Sequence, residues 1–198
     1  MRIDPVEYER LDLRAHSLLA DVALHDVWAV DLPGGRPGRT VLDVLAAISV
    51  KSLRRVTPTV TFLFWLRGWL GRVLGSDRAR PRPPRDSFVS RLTAAEREAS
   101  LVTPGTPDGS RWTLFVSPRE SISELQNATV HAFSVIVLAN RSEGYRLYWA
   151  IYVRPVSRLT VWYFRLIDPF RRLVIYPAVL REIRRAWARA ALGVTRAS

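Results

Sequence analysis

The spacing of apolar and polar residues is most regular in the last third of the chain. Residues 145–153 alternate, with Tyr145, Leu147 and Trp149 on one side and arginine and tyrosine side chains on the other, which predicts a strand. Residues 168–192 repeat apolar positions at steps of three and four, which predicts a long amphipathic helix. The apolar stripe of this helix contains Leu173, Tyr176, Leu180, Ile183 and Trp187.

Two prolines mark positions within this helix. Asp168 is placed to cap the first turn, and Pro169 suits the first helical position, where the missing N–H costs nothing. Pro177 lies inside the pattern and removes one backbone hydrogen bond. We therefore expect the helix to bend there.

Upstream segments predict short helices, one strand and a loop. Asp4, Pro5 and Glu7 form a helix start, with a cap, a proline and an acidic residue in the expected order. Residues 24–31 predict a strand, and residues 41–50 and 57–74 predict helices. Residues 76–86 are rich in proline and arginine, which predicts a surface loop.

The second half of the chain predicts mostly strands. The candidates are residues 87–92, 112–116 and 120–140, and a turn at residues 142–144 joins the last of them to residues 145–153 as a hairpin. Residues 157–167 favour a helix that leads into the long one. This order predicts a single α+β domain over residues 1–198, in which helices cover one face of an antiparallel sheet.

Composition excludes several classes of chemistry. There is no cysteine, so disulfides, thiolate nucleophiles and cysteine metal sites are absent. The first residues are charged and do not resemble a signal peptide, and apolar runs are too short to span a bilayer. We expect a soluble, cytoplasmic protein with no metal and no cofactor.

The net charge of +12 is concentrated in two segments. Residues 51–85 hold nine basic residues against Asp77 alone, and residues 154–198 hold ten arginines against two acids. One interpretation is a partner that carries phosphates; the other, which we favour, is solvated helix faces.

Several short motifs, taken in order, resemble an uncharacterised bacterial family of the START-like superfamily, also called SRPBCC or polyketide cyclase-like. They are AHSLL at residues 15–19, DVW at 26–28, LPGG at 32–35, NATVHA at 127–132, DPFRR at 168–172 and YP at 176–177. Relatives often carry histidine after the Pro-Phe pair, where this chain has Arg171.

The resemblance implies a helix-grip fold, in which a curved antiparallel sheet wraps around a long C-terminal helix and leaves a cavity between them. Relatives in the superfamily bind lipids, sterols or aromatic polyketides, and some are cyclases or dehydratases.

Candidate site residues cluster on the segment that contains His131. On a continuous strand, Asn127, Thr129 and His131 would share a face with Phe133, so that polar groups run into apolar ones as in a ligand pocket. The alternative is that this face is exposed to solvent and the opposite, more apolar face is buried.

We expect the ligand to contact these residues together with aromatic and apolar ones elsewhere. The candidate ligand-binding residues are Asn127, Thr129, His131, Phe133, Trp112, Trp149, Trp65, Tyr176 and Leu180. His131 is a candidate general base, Asn127 could polarise a carbonyl, and Glu124 could act as an acid or base. No catalytic motif supports these roles, and exposed carboxylates are the default interpretation of Glu120 and Glu124.

Three functional hypotheses follow. The first is a protein that binds a small apolar or amphipathic ligand, such as a lipid, an isoprenoid or a polyketide-like molecule, between the sheet and the C-terminal helix. The second is a cyclase or dehydratase that acts in the same cavity. The third is a basic protein that binds anionic membrane, through weak contact with the lipid surface, or nucleic acid, the less favoured of these two partners. The sequence sets neither the ligand nor the oligomeric state.

Overall fold

A computed structural model of the protein describes residues 1–34, 38–47, 86–126, 131–156 and 168–195. Several predictions lie outside these ranges. They are the helix at residues 57–74 with Trp65, nearly all of the 76–86 loop, the site residues Asn127 and Thr129, and the helix at residues 157–167.

Six antiparallel strands form one curved sheet in the order β1-β6-β5-β4-β3-β2. The strands are β1 (Ala23–Pro33), β2 (Pro107–Asp108), β3 (Arg111–Val116), β4 (Glu120–Gln126), β5 (His131–Arg141) and β6 (Gly144–Arg154). The first strand lies beside the last, with Trp28 opposite Trp149. The α+β class and the C-terminal helix are as predicted.

The hairpin between β5 and β6 forms where the sequence predicts it. Arg141 pairs with Gly144 across the turn. Gly144 has a φ of +140°, and a Cβ there would stand 2.5 Å from the carbonyl oxygen of Leu32. Only glycine fits this position, because both the backbone angle and the close approach of β1 exclude a side chain.

The predicted strand over residues 120–140 is wrong, because the chain turns back within it. β4 ends at Gln126 and β5 begins at His131, and the two pair antiparallel with Gln126 opposite His131. A single strand of this length would extend for about 70 Å, far beyond ordinary strands.

The predicted strand at residues 87–92 is also wrong. Residues Phe88–Arg91 form a 3₁₀ helix, whose first turn is capped by Ser87 through its hydroxyl. A capping box follows at once, in which Thr93 and Glu96 exchange hydrogen bonds. These two local caps satisfy backbone groups that a strand would leave for a sheet partner.

Helices lie on both faces of the sheet, although one covered face was expected. The other helices are α1 (Pro5–Glu9), α2 (Arg14–Leu18), α3 (Val41–Ala47), α4 (Ala94–Ala99) and α5 (Tyr176–Thr195). Asp4 caps α1 by accepting from the N–H of Val6, as its sequence predicts. No helix in the described ranges is long and apolar enough to cross a membrane.

Two apolar cores result, one on each face. The N-terminal face is the side covered by α1, α2 and the 3₁₀ helix, and it includes Tyr8, Phe88 and Phe133. The helix face is the side covered by α5, and it includes Trp28, Leu180 and Trp187. Along β6, alternate side chains enter the two cores, since successive residues of a strand point to opposite faces.

The C-terminal helix departs from its predicted stripe at one residue. Tyr176, Leu180, Ile183 and Trp187 are buried, but Leu173 is 78 % exposed. The reason is a π-helical turn over Arg171–Ile175, which ends two residues before Pro177. A π turn bonds i to i+5 and holds more residues than an α turn, so Leu173 is rotated away from the stripe that follows it.

Candidate functional site

Glu124 is at the centre of a fully buried polar cluster on the N-terminal face. Its side chain has no exposed surface. Ser87 donates its hydroxyl hydrogen to Oε2 at 2.5 Å, and the N–H of Phe88 donates to Oε1 at 3.3 Å. Nε2 of His131 lies 2.6 Å from the same Oε1. The carboxyl group therefore joins β4, β5 and the 3₁₀ helix.

His131 is 3 % exposed and lies among aromatic rings. Its ring centroid is 5.4 Å from that of Phe88 and 4.7 Å from that of Phe133. The guanidinium of Arg91 stacks 3.5 Å from the centroid of Phe88 and also pairs with Asp21. That hydrogen bond to Arg91 lowers the pKa of Asp21 to about 2.

The geometry allows one acid–base arrangement. An ionised carboxylate can only accept, so this arrangement needs a proton on Nε2 of His131, and in a neutral ring with that proton Nδ1 keeps a lone pair. Such a base would act on a small molecule only if that molecule reached Nδ1. The same contacts equally anchor the 3₁₀ helix to the sheet.

The helix face carries an aromatic cluster of a different kind. Tyr176 at the start of α5 packs 4.9 Å from the ring of Trp28 and 5.1 Å from that of Trp149. The indole N–H of Trp149 donates to the hydroxyl of Ser134 at 2.8 Å. Burial raises the pKa of Tyr176 to about 12, which keeps its hydroxyl protonated at neutral pH.

Two buried indoles on this face lack hydrogen-bond partners in the part of the chain that the structure describes. They are Trp28, which is 6 % exposed, and Trp187, which is 4 % exposed. Trp187 packs against Tyr145 near the β5–β6 hairpin, at a ring distance of 5.3 Å. Buried indole N–H groups usually find an acceptor, so these two donors are available to a bound molecule.

The sheet separates the predicted site residues into two groups. His131 and Phe133 lie on the N-terminal face. Trp112 of β3 lies directly opposite Glu124 of β4 in the antiparallel pairing, on the same face. Trp149, Tyr176 and Leu180 lie on the helix face. Trp65, Asn127 and Thr129 lie outside the described ranges. The described candidates therefore do not line one common pocket.

An open groove of about 470 Å³ lies at the hairpin end of the sheet. The residues that line it are Leu11, Arg119, Ala139, Asn140, Arg141 and Tyr148. Arg141 donates to the hydroxyl of Tyr148 at 3.0 Å, and Tyr148 donates to Glu7 at 2.7 Å. The volume is in the range of small-molecule sites, about 300–1,000 Å³.

Glu120 is a buried carboxyl group that the sequence interpretation placed on the surface. It is 5 % exposed and accepts from the backbone N–H groups of Arg14 and Ala15, at 2.8 and 3.3 Å. It thus caps α2 from a distant strand. Burial raises the pKa of Glu120 and of nearby Tyr8 and Tyr152. The sequence offers no signal for this contact, because its partners are separated by more than a hundred residues.

One group of side chains could bring three metal ligands together. The ligand atoms of His25, Asp26 and Asp168 lie within 4.8 Å of one another. Three guanidinium groups already pair with these carboxylates, at N–O distances of 3.2 to 3.3 Å: Arg2, Arg171 and Arg172. Their positive charge opposes a bound cation, and the group is better described as an ion-pair network that joins β1 to the C-terminal helix.

A protein-family model matches most of the chain. Residues 18–178 match a family described as "Protein of unknown function (DUF2867)". The matched region runs from α2 to the first turn of α5 and includes both clusters. No curated protein and no solved structure matches the chain.

Proposed function

The chain belongs to the DUF2867 family of proteins of unknown function, and we propose that it binds a small apolar or amphipathic ligand between the sheet and the C-terminal helix. The antiparallel sheet with a C-terminal helix along it is compatible with a START-like fold, and membership of that superfamily is part of the proposal. A cytoplasmic location is also part of the proposal, because a sequence without cysteine is compatible with a reducing compartment.

The observation that carries the proposal is the pair of buried indole N–H groups of Trp28 and Trp187, which have no hydrogen-bond partner among the described residues. Leaving a buried donor unpaired costs about 1–3 kcal/mol. Both donors lie in an otherwise apolar core with Trp149, Tyr176 and Leu180. A ligand with a carbonyl, hydroxyl or carboxylate oxygen and an apolar body would satisfy a donor and pack against the aromatic rings.

Two measurements test this proposal. Native mass spectrometry of the protein as expressed should show a bound small molecule. Binding of 8-anilinonaphthalene-1-sulfonate, which combines aromatic rings with sulfonate oxygens, should saturate at one molecule per chain. Trp28→Phe keeps an aromatic ring but removes the N–H, so we expect the Kd of the probe to rise about fivefold, as for the loss of one hydrogen bond.

Two control variants locate the probe. Trp112→Phe makes the same chemical change at an indole of the β3 strand and should leave the Kd unchanged. Arg119→Ala removes a cation from the groove and should also leave it unchanged. A Kd that responds to Arg119→Ala and not to Trp28→Phe would place the ligand in the groove. No copurified molecule and no saturable probe binding would refute the proposal.

A second candidate function is acid–base catalysis by His131, which the 2.6 Å contact with Glu124 favours. It requires that a small molecule reach the imidazole. Diethyl pyrocarbonate, with the modified histidines mapped by mass spectrometry, tests this directly. His25, whose side chain is 24 % exposed, is the internal reference.

If His131 has a catalytic role, we expect it to react at a rate within about tenfold of His25, because a group that meets substrate must be accessible. Protection of His131 until the protein unfolds would leave only the structural role. In that case Glu124→Gln should change the stability of the protein and leave the reactivity of its histidines unchanged.

A further inference from the structure

The outward side of the C-terminal helix combines exposed apolar groups with arginines. Leu173 is 78 % exposed and Phe170 is 54 % exposed. After the π turn, steps of four and three residues lead from Pro177 to Arg181 and Arg184. Positions at these steps share one side of a helix. We name this side the outer helix surface, and it also includes Arg185.

The arginines of this surface are exposed, and their charge is not balanced by nearby acids. Arg184 and Arg185 form no ion pair within the described ranges, and Arg181 donates to the backbone carbonyl of Pro177 at 3.2 Å. The acid of α5, Glu182, is buried and pairs with Arg189 at 2.8 Å. The surface therefore presents a positive field to solvent.

The π-helical turn explains why apolar and basic groups meet here. In a regular α-helix Leu173 would point into the helix face, beside Tyr176. The turn over Arg171–Ile175 rotates it outward, so that it is exposed at the start of the helix that carries the exposed arginines. Asp168, the acid near the start of the helix, already pairs with His25 and Arg172. It therefore does not neutralise the exposed arginines.

We propose that the outer helix surface docks on the anionic surface of a lipid bilayer. The helix lies parallel to the bilayer, with Phe170 and Leu173 inserted among the headgroups and the arginines paired with lipid phosphates. Leu173 and Arg185 are twelve residues apart, or about 18 Å along a helix, so several headgroups are in reach at once. Exposed apolar side chains favour lipid over nucleic acid, whose backbone offers them no apolar phase.

Vesicle sedimentation with the full chain tests the proposal. We expect binding to phosphatidylcholine vesicles that contain about 30 % phosphatidylglycerol, and none to pure phosphatidylcholine. The double variant Arg184→Glu/Arg185→Glu should weaken binding at least about tenfold. The matched control Arg10→Glu/Arg119→Glu makes the same charge change at exposed arginines elsewhere and should cause a much smaller loss.

The apolar contribution separates a membrane from other polyanions. Leu173→Ser should weaken vesicle binding about fivefold and leave binding to a double-stranded DNA oligonucleotide unchanged, whereas Leu101→Ser, at another exposed leucine, should change neither. Unfolding midpoints confirm that each variant is folded. The proposal is overturned if anionic vesicles do not bind, if both double variants behave alike, or if Leu173→Ser has no effect. These outcomes leave the ligand proposal untouched, since it depends on the opposite side of the helix.

Discussion

Glu124 shows how much a single buried side chain can connect. Its two oxygens accept hydrogen bonds from the Ser87 hydroxyl and the Phe88 N–H, and one of them contacts Nε2 of His131. One residue therefore links two strands and the 3₁₀ helix. A buried carboxyl group is tolerated only when such contacts replace its hydration. Here each oxygen has at least one partner, so the cluster links these three elements without leaving the carboxyl group unsatisfied.

Removing this carboxyl group should therefore destabilise the protein more than removing one of its partners. We expect Glu124→Ala to lower the free energy of unfolding by about 3 kcal/mol, since three donors lose their acceptor in a buried site. Ser87→Ala should cost about 1 kcal/mol, and Glu98→Ala, at an exposed position, less than about 0.5 kcal/mol. Urea unfolding measures all three, and equal values for Glu124→Ala and Ser87→Ala would contradict this description.

At the scale of an element, the C-terminal helix consists of two segments with different helical geometry, one π-helical and one α-helical. Before Pro177, the π turn directs Leu173 to solvent; after it, Leu180 and Ile183 follow ordinary α-helical spacing into the core. Proline lacks the N–H that would bond four residues back. The wider turn that ends two residues before it is the local adjustment that accompanies this missing bond.

The two leucines of this helix give a matched test of its geometry. Leu180→Ala should lower the free energy of unfolding by about 2–5 kcal/mol, because it leaves a cavity in the helix face. Leu173→Ala should cost less than about 0.5 kcal/mol, because its side chain is exposed. Thermal or urea unfolding measures both. Similar costs would mean that Leu173 belongs to the buried stripe after all.

At the scale of the whole molecule, contacts between distant parts of the chain hold the fold together. β1 pairs with β6, and Trp28 of β1 packs on Tyr176 of the last helix. Asp26 of β1 forms an ion pair with Arg172, which lies just before the last helix. These contacts join residues that are more than a hundred positions apart, so the helix face forms only when both ends of the chain are in place.

Local sequence patterns were sufficient for much of the architecture. The cap at Asp4, the alternation of residues 145–153 and the glycine of the hairpin act within a few residues, where backbone geometry is set by neighbours. They led correctly to α1, β6, the hairpin and the α+β class. The apolar stripe of the last helix was also correct from Tyr176 onward.

Pairing and orientation, in contrast, depended on contacts that sequence spacing does not encode. The antiparallel pairing of β4 with β5 and the π turn before Pro177 each changed which side chains share a face. The juxtaposition of Glu124 and His131 requires antiparallel pairing of two strands, and the separation of His131 from Tyr176 requires a sheet between them. A strand presents two faces with equal regularity, so only packing against the rest of the molecule selects the face that each candidate residue occupies.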